Sequence, residues 1–325
     1  MTLPDASVPL TADEARASFE AMLDGTVDDD SIRDFLLAMS LRDETAIEIA
    51  AAIRAIRARM IPVAAPEGAI DVCGTGGDMS NSVNVSTAVA IVVAACGVPV
   101  AKHGNRAASS QAGGADTLEA LGLDLDHAST TAEATLADLG IAFLFAQKHH
   151  PALGKLAPVR KSIQRRTIFN LTGPACNPAG VKRQLIGVAR PDFLPVYAEA
   201  LQLLGMQDAM LVSGHEPLDE LSVGGPSTVL RLGSPPSVIA PEDVGLERHP
   251  LVALRGGDAA HNAHALRQML LGEAGAYRDA VLFNAAGALI AAGHVGDWQE
   301  GIEEAAEALD RGLANTLLDC WIAYR

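Results

Sequence analysis

Apolar residues recur at Ala46, Ile47, Ile49, Ala50, Ile53 and Ile56, a three- and four-residue rhythm that predicts a helix with a wide buried face between about 43 and 60. Upstream, Thr11-Ala-Asp-Glu14 and Ser31-Ile-Arg-Asp34 each resemble a capping box placed before an apolar-periodic segment, so the first sixty residues read as helices. Pro62 and Pro66 end that rhythm and mark 61–68 as a hinge. The texture then changes. A short apolar run at 69–73 predicts a strand feeding a Gly-rich loop, 85–96 a helix closed by Gly97, 98–101 a second strand, and 115–121 a helix closed by Gly122. Further strands are expected at 141–145 and 209–213, and further helices at 194–204, 280–292 and 298–313. Strand–helix alternation of this kind is the signature of a mainly parallel sheet flanked by helices. The expected fold is therefore α/β, with an all-helical N-terminal part.

Composition narrows the class. Hydrophobic residues make up 49% and charged residues 20% of the 325, enough for a sizeable core. The longest apolar run, 88–101, is too short to span a bilayer and contains Gly97 and Pro99. The first residues have neither a basic start nor an apolar core of the kind that directs secretion. Four cysteines lie far apart with no CxxC pair, which suits free thiols in a reducing cytoplasm. A net charge of −16 argues against nucleic acid as a partner. Against that background, 147–190 holds nine Lys or Arg and no Asp or Glu. The stretch suits handling of small anions, and equally a solvated basic strip.

Three segments carry candidate chemistry. In Gly74-Thr75-Gly76-Gly77-Asp78, three glycines in four positions let backbone N–H groups approach an anion. The sequence is neither a Walker loop nor GxGxxG. Asp78 would repel a bare phosphate unless it bonds a hydroxyl or a cation, which suggests a phosphorylated sugar with its metal; an ordinary turn is the alternative. Asn84, Val85, Ser86 and Thr87 open the next helix, where free N–H groups favour phosphate, although Ser and Thr also cap helices generally. Lys102-His103-Gly104-Asn105-Arg106 with Ser109 and Ser110 is expected just beyond a strand end, where α/β sheets bind ligands. Arg160 could grip a carboxylate through two parallel bonds. The adjacent carboxyls Asp219 and Glu220 suit magnesium, which shares oxygen ligands with substrate phosphates; an acidic surface pair is the plainer reading of either alone. His149-His150 does not read as a metal site, since neighbouring side chains point apart and no third ligand is suitably spaced.

Taken together, DVCGTGGD (71–78), NVST (84–87), KHGNRA (102–107), ADTLEALG (115–122), APVRK (157–161), LDE (218–220) and LFNAA (282–286) resemble the anthranilate phosphoribosyltransferase family, and the match runs through most of the chain. The resemblance implies a helical domain over 1–63, completed by roughly 165–188, and an α/β domain over 67–325, with homodimers joined through the helical part. It implies transfer of a phosphoribosyl group from 5-phosphoribosyl 1-diphosphate to anthranilate, in tryptophan biosynthesis. It assigns phosphoribosyl diphosphate to Gly74, Gly77, Asp78, Ser82, Asn84, Val85, Ser86, Thr87, Lys102, His103, Gly104, Asn105, Arg106, Ala107, Ala108, Ser109, Ser110 and Gly114. It assigns anthranilate to Gly74, Asn105 and Arg160, and magnesium, two ions per site, to Ser86, Asp219 and Glu220. It implies no covalent nucleophile, because an aromatic amine attacks directly and diphosphate leaves. Several positions depart from the family pattern: Gly114 for a usual serine, Ser82-Val83, Arg165, Ala175-Cys176 and Gly225. Two rivals remain, a pyrimidine nucleoside phosphorylase of the same fold and a nucleic-acid-binding relative without catalysis; the −16 charge and the LDE pair weigh against the second.

Overall fold

A computed structural model describes residues 2–78, 80–107, 111–163, 165–216 and 218–325. Three helices open the chain: α1 (Ala12–Asp24), α2 (Asp29–Leu41) and α3 (Ala46–Arg57). Thr11 caps α1 in a reciprocal box with Glu14, as expected. For α2 the cap is Asp28 rather than Ser31, whose backbone N–H donates to the Asp28 carboxylate at 2.9 Å. The third helix has its own box, Thr45 with Glu48, which the apolar rhythm alone did not reveal. Glu48 is fully buried and bound by Arg42, so one carboxylate both caps α3 and fastens the preceding turn.

The sheet is built from β1 (Ile70–Gly74), β2 (Val100–Gly104), β3 (Ile141–Phe145), β4 (Arg183–Gly187), β5 (Asp208–Ser213), β6 (Ser227–Arg231) and β7 (Ser237–Ile239). Its order is β3-β2-β1-β4-β5-β6-β7, parallel through β5 and antiparallel beyond. Between the strands run α4 (Val85–Ala95), α5 (Gly114–Ala120), α6 (Leu125–Thr130), α7 (Ala132–Asp138), the short turns α8 (Ala146–His149), α9 (Pro151–Gly154) and α10 (Ala157–Ser162), and α11 (Leu194–Leu203). Four helices close the chain: α12 (Ala259–Leu270), α13 (Ala276–Ala292), α14 (Trp298–Asp310) and α15 (Leu313–Ala323). The helix expected over 298–313 ends at Asp310, and a further helix begins at Leu313 after Gly312, which adopts a left-handed conformation (φ 69°).

Two large cores cover the faces of the sheet, and a third, smaller one gathers Ala101, Leu136, Ala142 and Leu144. On one side α4, α13, α14 and α15 pack around Val89, Ile91, Phe283 and Leu289. On the other, α1–α3 share a core with Phe169, Leu171, Cys176, Tyr197 and the strand residues Ile186 and Leu211. The segment expected to complete the helical part therefore divides. Its first portion packs with α1–α3, but Arg183–Gly187 pairs with β1 and β5 in the middle of the sheet. No helix among the described residues is long and apolar enough to cross a membrane.

Chain order reverses at β1. The path runs β1, β2, β3 to one edge, then returns to place β4 on the other side of β1. That makes the carboxyl ends of β1 and β4, at Gly74 and Gly187, the switch point where α/β sheets open a ligand crevice.

Candidate active site

Asp219 is seated at that switch point. A methyl on Gly74 would lie 2.0 Å from the Asp219 carboxylate, and one on Gly187 only 1.5 Å from its backbone oxygen. Glycine at both strand tips is what admits the acidic loop. The loop is held from behind by Asn284, which accepts from the Leu221 N–H at 2.9 Å and donates to the Leu221 carbonyl at 3.1 Å.

Opposite stands the glycine-rich turn. Gly76 and Gly77 have φ of 69° and 78°, and the Gly76 N–H donates to Asp219 at 2.6 Å. Burial and the neighbouring Asp78 carboxylate push the Asp219 carboxyl up to about 7. Burial, then Asp219 and Asp78, raise Glu220 well above the usual carboxylate range. Both shifts have one cause: negative charge here is partly desolvated and crowded. No cluster of three His, Cys, Asp or Glu among the described residues forms a closed metal cage. Oxygen donors short of positive charge, and too few for a full shell, fit magnesium completed by a ligand's own oxygens.

Lys102 and His103 lie inside β2, not beyond it as expected. Polar side chains broke the apolar run, yet Lys102 pairs in register with Phe143 and His103 with Leu144. Lys102 is buried, its ammonium donating to the Val72 carbonyl at 2.8 Å and to Ser86 Oγ at 3.3 Å. Its charge therefore faces the start of α4, where the N–H groups of a helix terminus are free. Gly173 O, 3.2 Å from His103 Nδ1, fixes the proton there, leaving His103 Nε2 to accept from His150 Nε2 at 3.2 Å. Burial, then His150, depress His103 to about 3, so this ring is neutral at physiological pH.

These pieces enclose a cavity of about 310 Å³. It is lined by Gly74, Gly77, Asp78, Ser82, Asn84, Ser86, Thr87, Lys102, His103, Gly104, Asn105, Arg106, Ala107, Gly114, Asp219 and Glu220, all named from the sequence. Thr75, Gly76, Ser80, Asn81, Ala112 and Gly113 also line it, although only the first two lay within a motif singled out earlier. Ala108, Ser109 and Ser110 lie outside the described residues. Two assignments fall elsewhere. Val85 is core, and Arg160 on α10 is absent from the lining, its guanidinium lying 5.7 Å from the centre of the Phe169 ring. Arg160 has no ion-pair partner among the described residues, and burial lowers its pKa.

Two further lining residues are engaged as well. The Asn84 side chain donates to the Ala112 carbonyl at 3.2 Å and accepts from Thr117 and Asn262, fastening α4 to α5 and α12. Arg106 pairs with Asp116 at 2.8 Å and with Glu119. At Gly114, a side chain would approach Thr87 Oγ1 to 2.9 Å, so a serine there would require Thr87 to shift.

Residues 66–315 match the model of the glycosyl transferase family a/b domain, and 6–60 that of the glycosyl transferase family helical bundle domain. An anthranilate phosphoribosyltransferase of Novosphingobium aromaticivorans is 61% identical over 99% of this chain and 98% of its own. The crystal structure of the anthranilate phosphoribosyltransferase of Thermus thermophilus superposes with a TM-score of 0.94 at 42% identity, covering 98% of this chain and 99% of that one. The Saccharomyces cerevisiae enzyme, in complex with PRPP and Mg, gives a TM-score of 0.89 at 29% identity, over 97% of this chain and 93% of that one.

Proposed function

The chain belongs to the anthranilate phosphoribosyltransferase family, and from that premise we propose that it moves the phosphoribosyl group of 5-phosphoribosyl 1-diphosphate onto anthranilate, the second step of tryptophan biosynthesis from chorismate. The observation that carries this reading is the single cavity wall where the glycine-rich turn, the start of α4, Lys102 and the paired acids converge. Backbone N–H groups at Gly77 and at 86–87, with Lys102, suit diphosphate and phosphate oxygens. Asp219, Glu220 and Ser86 would hold magnesium, which when bound neutralises the leaving diphosphate. Asn105 and Arg160 would orient the aromatic carboxylate so that its amine faces the sugar carbon. The amine supplies its own electron pair, so positioning and electrostatics suffice and no protein nucleophile is required.

The family resemblance is what supports pairing of two copies through the helical part, where Val8, Leu41 and Ile47 are exposed. Work on small charged metabolites suits a cytoplasmic location, and two magnesium ions per site match the two acids with Ser86. Purified protein given the diphosphate sugar, magnesium and anthranilate should extinguish anthranilate fluorescence. Folded protein that leaves the signal unchanged would refute the assignment.

Two further outcomes are expected. Arg160→Ala should raise the KM for anthranilate by about ten- to a hundredfold, the equivalent of about 1.5–3 kcal/mol for a charged hydrogen bond. The KM for the diphosphate sugar should hardly change, and equal shifts in both would remove the carboxylate role. The second outcome concerns pH. Asp219 binds its proton more tightly folded than unfolded, so without metal its contribution to stability falls as pH rises from the ordinary carboxylate range through about 7. A cation replaces that proton. The gain in melting temperature from magnesium should accordingly grow between pH 5.5 and 8, and a gain independent of pH would contradict it.

A further inference from the structure

Beneath the cavity lies a carboxylate that the assigned chemistry does not use. Asp71, the second residue of β1, has no exposed surface and does not line the cavity. One of its oxygens accepts from the backbone N–H of His103 at 3.1 Å. The other accepts from Asn177 Nδ2 at 2.8 Å, and from Gln184 Nε2 and the Cys73 thiol at 3.4 Å each. Burying a carboxylate is costly unless donors surround it, and here the His103 N–H, Asn177, Gln184 and the Cys73 thiol all donate.

The donors share a destination. Asn177 Nδ2 also reaches the Ala101 carbonyl at 2.7 Å, and Gln184 Nε2 the Pro174 carbonyl at 2.8 Å. His103, anchored by its backbone to Asp71, bonds through its ring to Gly173 O. The turn at 173–177 is thus tied to β1, β2 and β4 through one side chain, while Arg57 of α3 grips the Ala175 carbonyl at 2.7 Å from the other side. The turn at Ile168–Asn170, just before it in the chain, carries Phe169, and the Arg160 guanidinium lies 5.7 Å from the centre of that ring.

We propose that Asp71 is a positioning residue for the acceptor: without touching substrate, it sets the spacing between His103 in the cavity wall and the 173–177 turn, which follows the Phe169 turn beneath Arg160. This rests on the reading of Arg160 and Asn105 as the acceptor's contacts. Of the residues assigned to the donor substrate, His103 is the one bonded to Asp71, whereas Asp78 and the start of α4 are held by other partners.

Asp71→Asn tests this, because an amide at 71 offers one acceptor and one donor where two acceptors are required. Wild-type turnover of anthranilate in the same assay tests the functional reading separately. The expected result is a rise of about tenfold in the anthranilate KM, the loss of one buried hydrogen bond, with the KM for the diphosphate sugar within about twofold. A variant that merely melts earlier with both constants unchanged, or in which both rise together, would overturn the proposal. Should Asp71→Asn not fold, Gln184→Met decides. It cuts only the Asp71–Gln184–Pro174 link at nearly constant volume, and the same split, smaller in size, is expected; no split would overturn the proposal.

Discussion

Asp219→Asn should lower kcat/KM by about a hundred- to a thousandfold, the size of loss seen when one preorganised electrostatic contact is removed from a reaction centre. The substitution keeps shape and leaves an oxygen to accept from the Gly76 N–H, so the turn at 74–78 keeps its partner. What disappears is the charge that would hold the cation, and the magnesium titration should move to higher concentration with it. Stability should move the other way or not at all. Asp219 is half-buried beside Asp78 and Glu220, where its ionised form is penalised, and a neutral amide escapes that penalty near neutral pH. Activity lost with melting temperature preserved is the expected combination. An unchanged magnesium titration would remove Asp219 from the metal site.

Gly187→Ala should abolish most activity from a position that touches no substrate. Its methyl would lie 1.5 Å from the Asp219 backbone oxygen and 2.3 Å from the adjoining carbon, a clash that no rotamer relieves. The acidic loop cannot simply retreat, because Leu221 is bonded to Asn284 and the Gly214 N–H donates to Leu218 O at 2.9 Å. The strand tip and the loop must separate, carrying Asp219 and Glu220 away from the glycine-rich turn. Overpacking of this kind costs about 1–3 kcal/mol, so chemical denaturation should register the change as well as kinetics. Gly154→Ala, where an added methyl meets nothing within 4 Å, is the control and should leave both nearly unaltered. Equal behaviour of the two variants would contradict the account of Asp219 wedged between strand tips.

Much of this site was legible because its chemistry is local. Gly74 to Asp78 and Asn84 to Thr87 form contiguous motifs whose residue types announce a turn and a helix start, and the cavity gathers both. β3 was legible as well, since Ile141–Phe145 is an unbroken apolar run bounded by Gly140. β4 was not. Arg183 and Gln184 give it a polar start, and Gln184 is buried only because Asp71 and Pro174 O receive its amide across the fold. The same reasoning explains Lys102 and His103, whose place within β2 depends on partners in β1 and β3 distant in sequence. Nor could spacing disclose that Asn84 spends its amide on Ala112, Thr117 and Asn262, or that Gly187 makes room for Asp219. Motifs report residue types; burial and pairing across the sheet decide what each of them is free to do.

A crystal grown with the diphosphate sugar and Mn²⁺ in place of Mg²⁺ tests the central claim most directly, because manganese is located by its own anomalous signal. The account predicts a peak between the Asp219–Glu220 pair and the diphosphate, with the ligand's phosphates on the Gly77 N–H and the start of α4. Metal and diphosphate bound away from the tips of β1 and β4, with Asp219 and Glu220 uninvolved, would contradict it.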